Sequence, residues 1–202
     1  MDVKNKNDIV NLRRSQLTRA AYKVVGKMGY YDFTIKDIAK EAGLSTGLVH
    51  YYFKNKEDLL LNLLREMNQN MFLYLHKSIK DIEDPVEKLN IFITQAFEVV
   101  SNEKDYFYVV IDFWTQVNRN ERMKRANIKL FSSYREECAK IIQEGIELGS
   151  FEDVDVNYVS ALIISIIQGM IIQYVIDNDA FDYSEYTARA MKYIDDLVIK
   201  KK

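Results

Sequence analysis

Only eight of the 202 residues are glycine or proline: seven glycines and one proline. An ordinary soluble protein has about three times that share, roughly 12%. β-Sandwiches and β-barrels use these residues in their many tight turns, so the scarcity argues against both architectures. Hydrophobic residues make up 48% of the chain and charged residues 29%, a balance typical of a soluble globular protein. The sequence therefore predicts an all-α protein.

Apolar residues that recur at three- and four-residue steps, punctuated by capping residues, predict nine helices, three short and then six mostly long. The first covers about residues 9–28 and ends at Gly29. Two short helices follow, Thr34–Ala42 and Thr46–Phe53, with Ser45 or Thr46 as the cap of the second. The remaining helices are expected at about 55–80, 85–100, 106–117, 121–148, 156–176 and 184–200, with Asn55, Asp84, Asp155 and Ser184 as N-terminal caps.

The content of reactive side chains argues against several function classes. Cys138 is the single cysteine and His50 and His76 are the only histidines, so an internal disulfide cannot form and a zinc site is not expected. The chain has no glycine-rich phosphate loop, no metalloprotease motif and no plausible Ser/His/Asp set. We therefore expect a protein without enzymatic activity and without a cofactor.

Charge is distributed unevenly along the chain. Residues 1–56 carry 11 lysines and arginines against five acids, whereas residues 57–202 carry 17 against 25. A basic module on an acidic body suits binding to a polyanion. Residues 156–176 carry no charge, but polar residues interrupt them and aspartates rather than lysines bound them. We expect a buried or interface helix there, no membrane span, and a cytoplasmic protein, since the first seven residues lack the apolar core of a signal peptide.

The two short helices and the glycine between them have the plan of a helix-turn-helix. Thr46 and Gly47 would offer small groups and backbone donors at the start of the second helix. Three lysines flank this pair of helices and can neutralise phosphates: Lys36, Lys54 and Lys56. His50, Tyr51 and Tyr52 carry polar tips on rigid rings that can reach phosphates or base edges.

A dense motif over about residues 10–65 resembles the signature of the TetR family of transcriptional regulators. It reads Thr34-x-x-x-Ile38-Ala39-x-x-Ala42-Gly43-Leu44-Ser45-x-Gly47-x-Val49-x-Tyr51-Tyr52-Phe53-x-x-Lys56-Glu57-x-Leu59-Leu60. A looser similarity links the C-terminal half to the betaine-synthesis (BetI-like) branch, through Phe113-Trp114, Glu144-Gly145, Gly149-x-Phe151, Gln168-Gly169 and Gln173. The resemblance implies a three-helix DNA-binding domain at 1–56 and a six-helix effector-binding and dimerisation domain at 57–202.

The family pattern implies that Thr34 and Lys56 hold phosphates at two helix N-termini. It also places Thr46, Gly47 and the face bearing His50 and Tyr51 in the groove. The full set of expected DNA-contacting residues is Thr34, Lys36, Ser45, Thr46, Gly47, His50, Tyr51, Tyr52 and Lys56. Three alternatives stay open at this point: Thr34 only caps its helix, Tyr52 packs inward, and Gly47 accommodates a neighbouring helix. Many family members have tyrosine where this chain has His50.

The body is expected to form a homodimer through the helices near 156–176 and 184–200, because one half-site holds a small module weakly. The resemblance also implies a small-molecule effector pocket, for which the candidates are Phe92, Tyr108, Asp112, Trp114, Phe131 and Tyr134. Asp112 stands out because it interrupts a nearly unbroken apolar run. It is either a counter-charge for a cationic effector or part of an internal ion pair with Arg119, Arg122 or Arg135.

We therefore expect a dimeric repressor that a small-molecule effector releases from a pseudo-palindromic double-stranded DNA operator. The alternative is a helical protein-interaction adaptor that does not bind DNA. An adaptor would explain the helices and the apolar stretch, but not the combination of Thr34, the Gly43 turn, Gly47 and Lys56. The two hypotheses differ in the salt dependence of DNA binding, which is steep only for the first.

Overall fold

The computed structural model describes residues 3–102 and 104–200, and within these ranges the chain forms nine helices and no sheet. This agrees with the predicted all-α class. The helices are α1 (Val3–Asp32), α2 (Ile35–Ala42), α3 (Thr46–Tyr52), α4 (Lys56–Ile79), α5 (Pro85–Asn102), α6 (Lys104–Trp114), α7 (Glu121–Glu147), α8 (Val156–Ile176) and α9 (Tyr183–Val198). Contacts divide the chain into two compact units: unit 1 comprises residues 1–69 and 108–127, and unit 2 comprises 70–107 and 128–202.

Unit 1 is built on α1, whose buried side chains Leu17, Ala21 and Val25 recur at four-residue steps along one face. Gly29 breaks the helical conformation within α1 with φ 78° and ψ 171°. This conformation lies in the left-handed half of φ/ψ space, which glycine adopts without a steric penalty. Contacts join α1 to both α2 and α3, and α2 to α3. The first three helices therefore form one packed module.

Unit 2 has a continuous apolar core in which α5 packs on α8 and α9, and α8 packs on α9. Phe92, Ile163 and Ile194 are buried in it, from α5, α8 and α9 in turn. Phe151 is also fully buried and lies against Gly145, where an added Cβ would come within 2.1 Å of the ring. Gly145 is therefore required by this close packing rather than by its backbone conformation.

Helix α8 is the one described helix that is long and apolar enough to cross a membrane, judged by length and composition only. Six of its residues are nevertheless buried within the chain: Val159, Ser160, Ile163, Ile164, Ile167 and Ile171. Five of them belong to the core cluster of unit 2. Such burial is typical of a core helix in a soluble protein, so the hydropathy of α8 is weak evidence for a span.

Several predicted helix ends are confirmed by hydrogen bonds. Thr34 and Asp37 form a reciprocal capping box at the start of α2. The side chains of Asn55, Asp84 and Asp155 accept backbone N–H groups at the starts of α4, α5 and α8. Gly29, Gly43 and Gly149 all have positive φ values, as expected for residues that end helical segments. These signals involve residues only a few positions apart, which is why periodicity and capping rules locate them.

Three expectations about the helices are wrong. The last helix is capped by Asp182, whose Oδ1 accepts the Glu185 N–H at 2.8 Å, and not by Ser184. Helix α6 ends at Trp114 rather than Val117, because tight turns with i+3 hydrogen bonds to Phe113 and Trp114 follow it. Helix α1 starts at Val3 rather than near residue 9 and is not short. The polar sequence of residues 4–8 carries no apolar period that could have shown this extension.

The two compact units do not coincide with the predicted domains, which divide the chain once, at residue 56. Residues 57–69 of α4 and residues 108–127, which include the end of α6 and the start of α7, belong to the same compact unit as α1, α2 and α3. The division into a DNA-binding segment at 1–56 and an effector-binding segment at 57–202 concerns function, and it stays a prediction.

Candidate nucleic-acid interface

Helices α2 and α3 are joined by a three-residue turn that begins at Gly43 with φ 66°. The Gly43 and Leu44 N–H groups donate to the carbonyl oxygens of Lys40 and Ala39, at 3.2 and 2.9 Å. Ser45 then caps α3, because its Oγ accepts the Leu48 N–H at 3.2 Å. Ser45 rather than Thr46 is thus the cap of this helix. The arrangement is a helix-turn-helix. Hydrogen bonds at the end of α2 and the Ser45 cap at the start of α3 fix the turn between the two helices.

One face of α3 is buried and the other is open to solvent. Val49 and the following Phe53 are buried in unit 1. Gly47, His50 and Tyr51 are exposed, Tyr51 to 72%. These three positions have the i, i+3, i+4 spacing of neighbours on one helical face. Helix α3 therefore presents a continuous polar face beginning at its N-terminal turn.

Gly47 lies on this exposed face, and a Cβ added to it would meet no heavy atom of the described chain within 4 Å. The alternative that a neighbouring helix requires glycine at this position is therefore wrong for the described residues. Tyr52 is half-buried and its ring meets that of Tyr51 edge to face at 5.0 Å. The alternative of a partly inward-packed Tyr52 thus agrees with its burial.

Thr34 is exposed and its side chain serves the capping box of α2. The hydroxyl donates to Asp37 Oδ2 at 2.6 Å and accepts the Asp37 N–H at 3.4 Å. The Thr34 hydroxyl and the Thr34 N–H, which also donates to Asp37, together lower the pKa of the Asp37 carboxyl. The capping role of Thr34 is therefore present in the structure, and its phosphate contact stays a prediction.

Lys56 lies at the start of α4 and is used within the chain. Its Nζ donates to the carbonyl oxygens of Tyr31 and Phe33, both at 3.0 Å, and lies 3.8 Å from the centroid of the Phe33 ring. Burial lowers the pKa of the Lys56 ammonium, and the nearby Asp32 carboxylate opposes that shift. An ammonium has three donors, so one N–H remains for a phosphate. Lys36 and Lys54 are exposed at the same module.

Three of the six predicted effector-pocket residues lie in unit 1. Tyr108 is 49% exposed, and Trp114 is half-buried. The Oδ2 of Asp112 accepts the backbone N–H of Tyr30 at 2.9 Å. In the described residues none of the ion pairs joins Asp112 to Arg119, Arg122 or Arg135. The predicted ion-pair alternative for Asp112 is therefore replaced by a hydrogen bond to the end of α1.

The other three predicted pocket residues lie in unit 2. Phe92 is 1% exposed in the apolar core, whereas Phe131 and Tyr134 are half-buried. Tyr134 shares a side-chain hydrogen bond with buried Tyr106, and burial raises the pKa of Tyr106 to about 12. A cleft of about 530 Å³ also runs along α5, between Asp84 and Gln95, but none of these three residues lines it.

Two polar contacts that involve buried side chains have no signal in the sequence. In unit 1 the Gln116 amide donates to the Tyr31 hydroxyl. In unit 2 the buried Glu137 carboxylate contacts His76 Nδ1 at 2.9 Å and Lys140 Nζ at 3.4 Å. Gln116 and Tyr31 lie 85 positions apart and Glu137 and His76 lie 61 apart, whereas Lys140 is three positions from Glu137. No local pattern connects residues so distant in sequence.

Two family models match the chain. The model described as bacterial regulatory proteins, tetR family, matches residues 17–63, and the model described as BetI-type transcriptional repressor, C-terminal, matches residues 85–199. The first match covers the second half of α1, all of α2 and α3, and the start of α4. The second covers more than half of the chain and includes most of unit 2.

Relatives and solved structures agree with these matches. The fatty acid metabolism regulator protein of Bacillus subtilis is 29% identical over 83% of this chain and 86% of its own length. The chain spans a smaller part, 61%, of a Brucella canis regulator called BetI. A regulator from Saccharomonospora viridis solved with choline has a TM-score of 0.86 at 22% identity, over 95% of this chain and 100% of that one. FadR from Bacillus subtilis, solved with stearoyl-CoA, has a TM-score of 0.74 at 24% identity, over 89% and 96%.

Proposed function

Because this chain belongs to the TetR family of bacterial regulatory proteins, we propose that it is a cytoplasmic, homodimeric repressor that reads a pseudo-palindromic operator through α3. It has no enzymatic role in this proposal. The observation that carries the proposal is the exposed face of Gly47, His50 and Tyr51, held outward by buried Val49. A short helix fixed in this way can enter a major groove with its N-terminal residues first.

The proposed contacts divide into those that position the protein and those that read sequence. Lys36, Lys54 and the remaining N–H of Lys56 contact phosphates, together with Thr34 and Ser45 at the helix starts. Gly47 and Thr46 allow the backbone of α3 to approach the groove closely. His50, Tyr51 and Tyr52 then reach base edges or the adjoining phosphates. His50 offers one donor and one acceptor when neutral, so its contact differs from that of a tyrosine at this position.

The proposed homodimer forms through α8 and α9. One set of exposed or half-buried residues on α8 recurs at three- and four-residue steps and so lies on one face of the helix: Tyr158, Leu162, Ser165, Gly169, Ile172 and Ile176. Tyr158 is 66% exposed and Ile176 is 74% exposed. On α9, Tyr186 and Tyr193 are also exposed. A second copy of the chain would bury these residues of α8 and α9. It would also supply a second α3 helix to bind the other half-site of the operator.

The effector is proposed to be a small molecule that binds the body and favours a spacing of the two α3 helices that no longer matches successive major grooves. The residues proposed to contact it are considered unit by unit: Tyr108, Asp112 and Trp114 in unit 1, and Phe92, Phe131 and Tyr134 in unit 2. Choline and stearoyl-CoA, which are bound in two solved structures of similar fold, are two chemically different compounds with which to test this chain. A differential affinity of a few kcal/mol between the two states is enough to switch occupancy.

The test is binding of the purified full chain to DNA from upstream of its own gene, titrated across salt. A repressor gives sequence-selective binding that weakens steeply with salt, and Tyr51→Ala and Lys36→Ala both reduce it. Lys77→Ala is the matched control, since Lys77 is an exposed lysine of α4 in unit 2. If the protein shows no preference for any upstream fragment and its affinity for DNA does not change with salt, the result would instead support the adaptor hypothesis. Adding choline or stearoyl-CoA to the bound complex then tests release.

A further inference from the structure

We infer that Asp112 and Gln116, which lie outside the helix-turn-helix, are positioning residues for DNA reading: they fix the end of α1, from which α2 and α3 start. The inference rests on the proposed function, since it concerns how the same α3 is oriented. Both residues belong to segment 108–127, which the contacts place in unit 1 together with the first three helices.

The first part of this arrangement is the break at Gly29. The next residue, Tyr30, lies in the last part of α1, after the break, and its backbone N–H donates to Asp112 Oδ2 at 2.9 Å. A hydrogen bond to a charged acceptor is about twice as strong as one between neutral groups. The Asp112 carboxylate therefore fixes the direction in which the chain leaves the break.

Aromatic packing strengthens the same contact. The Tyr30 ring meets the fully buried Phe113 ring edge to face at 5.7 Å, and the Tyr31 ring at 5.2 Å. Gln116, which is 6% exposed, donates to the Tyr31 hydroxyl and to Thr115 Oγ1. The end of α6 and the turn after it thus hold two successive residues of α1.

Helix α4 holds the same segment through different atoms. Lys56 Nζ binds the carbonyl oxygens of Tyr31 and Phe33, and Thr34, the cap of α2, follows Phe33 directly. The start of α4 is in turn tied to the start of α7, because Asn120 donates to Glu57 at 2.8 Å and Arg122 pairs with Asp58 at 3.4 Å. Segment 108–127 and α4 therefore fix residues 29–33 together.

This geometry has a specific consequence for DNA binding. Base contacts depend on the orientation of α3, whereas contacts from flexible lysines to phosphates tolerate small changes in orientation. Loss of the Asp112 acceptor therefore reduces the preference for the operator more than it reduces the affinity for unrelated DNA. A residue that only stabilised the fold would change both affinities by the same factor.

The experiment measures the affinity of full-length Asp112→Ala, Asp112→Asn and wild type for the upstream operator fragment and for a scrambled fragment. Asp112→Ala is expected to lower the ratio of the two affinities about tenfold, the effect of losing one charge-assisted hydrogen bond. Asp112→Asn retains an oxygen that accepts the Tyr30 N–H and recovers most of the ratio. Asp153→Ala removes the same charge from an exposed loop of unit 2 and leaves the ratio unchanged.

Native-state hydrogen exchange of the Tyr30 amide is measured in parallel, and Asp112→Ala is expected to accelerate it. If exchange accelerates while the affinity ratio stays at the wild-type value, the contact exists but the positioning role is overturned. If Asp112→Ala does not fold, Tyr31→Phe tests the same role, because it removes only the oxygen that accepts from Gln116; an unchanged ratio there overturns the inference as well. A wild type with no preference for any upstream fragment overturns the proposed function itself.

Discussion

The ammonium of Lys56 lies 3.8 Å from the centre of the Phe33 ring and donates to the Phe33 carbonyl oxygen at 3.0 Å. One side chain of α4 thus contacts both the ring and the backbone of the residue that precedes the α2 cap. Hydrogen bonds to a charged donor and a cation–π contact both stabilise the folded state. Lys56 has a structural role in unit 1 whether or not it also contacts a phosphate.

Lys56→Met is therefore expected to lower the free energy of unfolding by about 2 kcal/mol, the scale of losing charge-assisted hydrogen bonds while keeping the apolar stem. Urea unfolding followed by circular dichroism measures this change. Lys54→Met is the control, because Lys54 is exposed and lies two residues away. Equal stability of the Lys56 and Lys54 variants would contradict the structural role.

Gly47→Ala is expected to affect stability and DNA binding in opposite directions. The added methyl group meets nothing within 4 Å in the described chain, and alanine favours an exposed helical position over glycine by about 1 kcal/mol. The variant is therefore more stable than wild type. If the backbone of α3 approaches DNA at Gly47, the methyl group reduces operator affinity by about tenfold, equivalent to a steric cost near 1.4 kcal/mol.

Gly43→Ala provides the matched comparison for Gly47→Ala. Gly43 has φ 66°, so alanine there is strained and lowers the stability by about 1 kcal/mol. Thermal unfolding and operator titration of both variants give the two readouts. Unreduced operator affinity in Gly47→Ala would show that α3 does not approach DNA at this residue.

Local signals in the sequence account for most helix ends, since a cap and its acceptor lie within four residues, as Thr34 and Asp37 do. The error at α9 has the same local origin, because Asp182 and Ser184 are both good capping residues and only the folded backbone selects Asp182. The exposed face of α3 was also predictable, because its residues follow the helical period. The roles of Lys56 and Asp112 were not, because their partners lie 23 to 82 positions away.

The stability of the protein is expected to fall between pH 10 and pH 12. Burial raises the pKa of Tyr106 from 10.0 to about 12. Between these values the folded state keeps the Tyr106 proton and the unfolded state loses it, so raising the pH favours unfolding by up to about 1.4 kcal/mol per pH unit. Below pH 10 this contribution is fully present.

Tyr106→Phe is expected to make the loss of stability over this pH range shallower, since phenylalanine does not ionise. Urea unfolding at pH 9, 10 and 11 for wild type and variant measures the difference in slope. Tyr193→Phe serves as the control, because Tyr193 is 60% exposed. Identical slopes for Tyr106→Phe and wild type would contradict the assignment of this titration to Tyr106.

Gly169→Leu is expected to separate folding from dimerisation. Gly169 lies on the apolar stripe of α8, and a Cβ added there would meet no described atom of another element within 4 Å, so the single chain leaves space at this position. Leucine also favours the helix by nearly 1 kcal/mol relative to glycine. In the proposed dimer, however, a bulky side chain at this position would separate the two copies of α8, whose small residues Ser165 and Gly169 allow close approach.

Sedimentation velocity at micromolar concentration is therefore expected to give a dimer for wild type and a 23.8 kDa monomer for Gly169→Leu, with unchanged helical circular dichroism. The monomeric variant would also lose operator affinity, because a single half-site binds weakly. The control is Ser150→Leu, a half-buried position outside α8 and α9. A Gly169→Leu protein that dimerises as tightly as wild type would place the interface elsewhere on the chain.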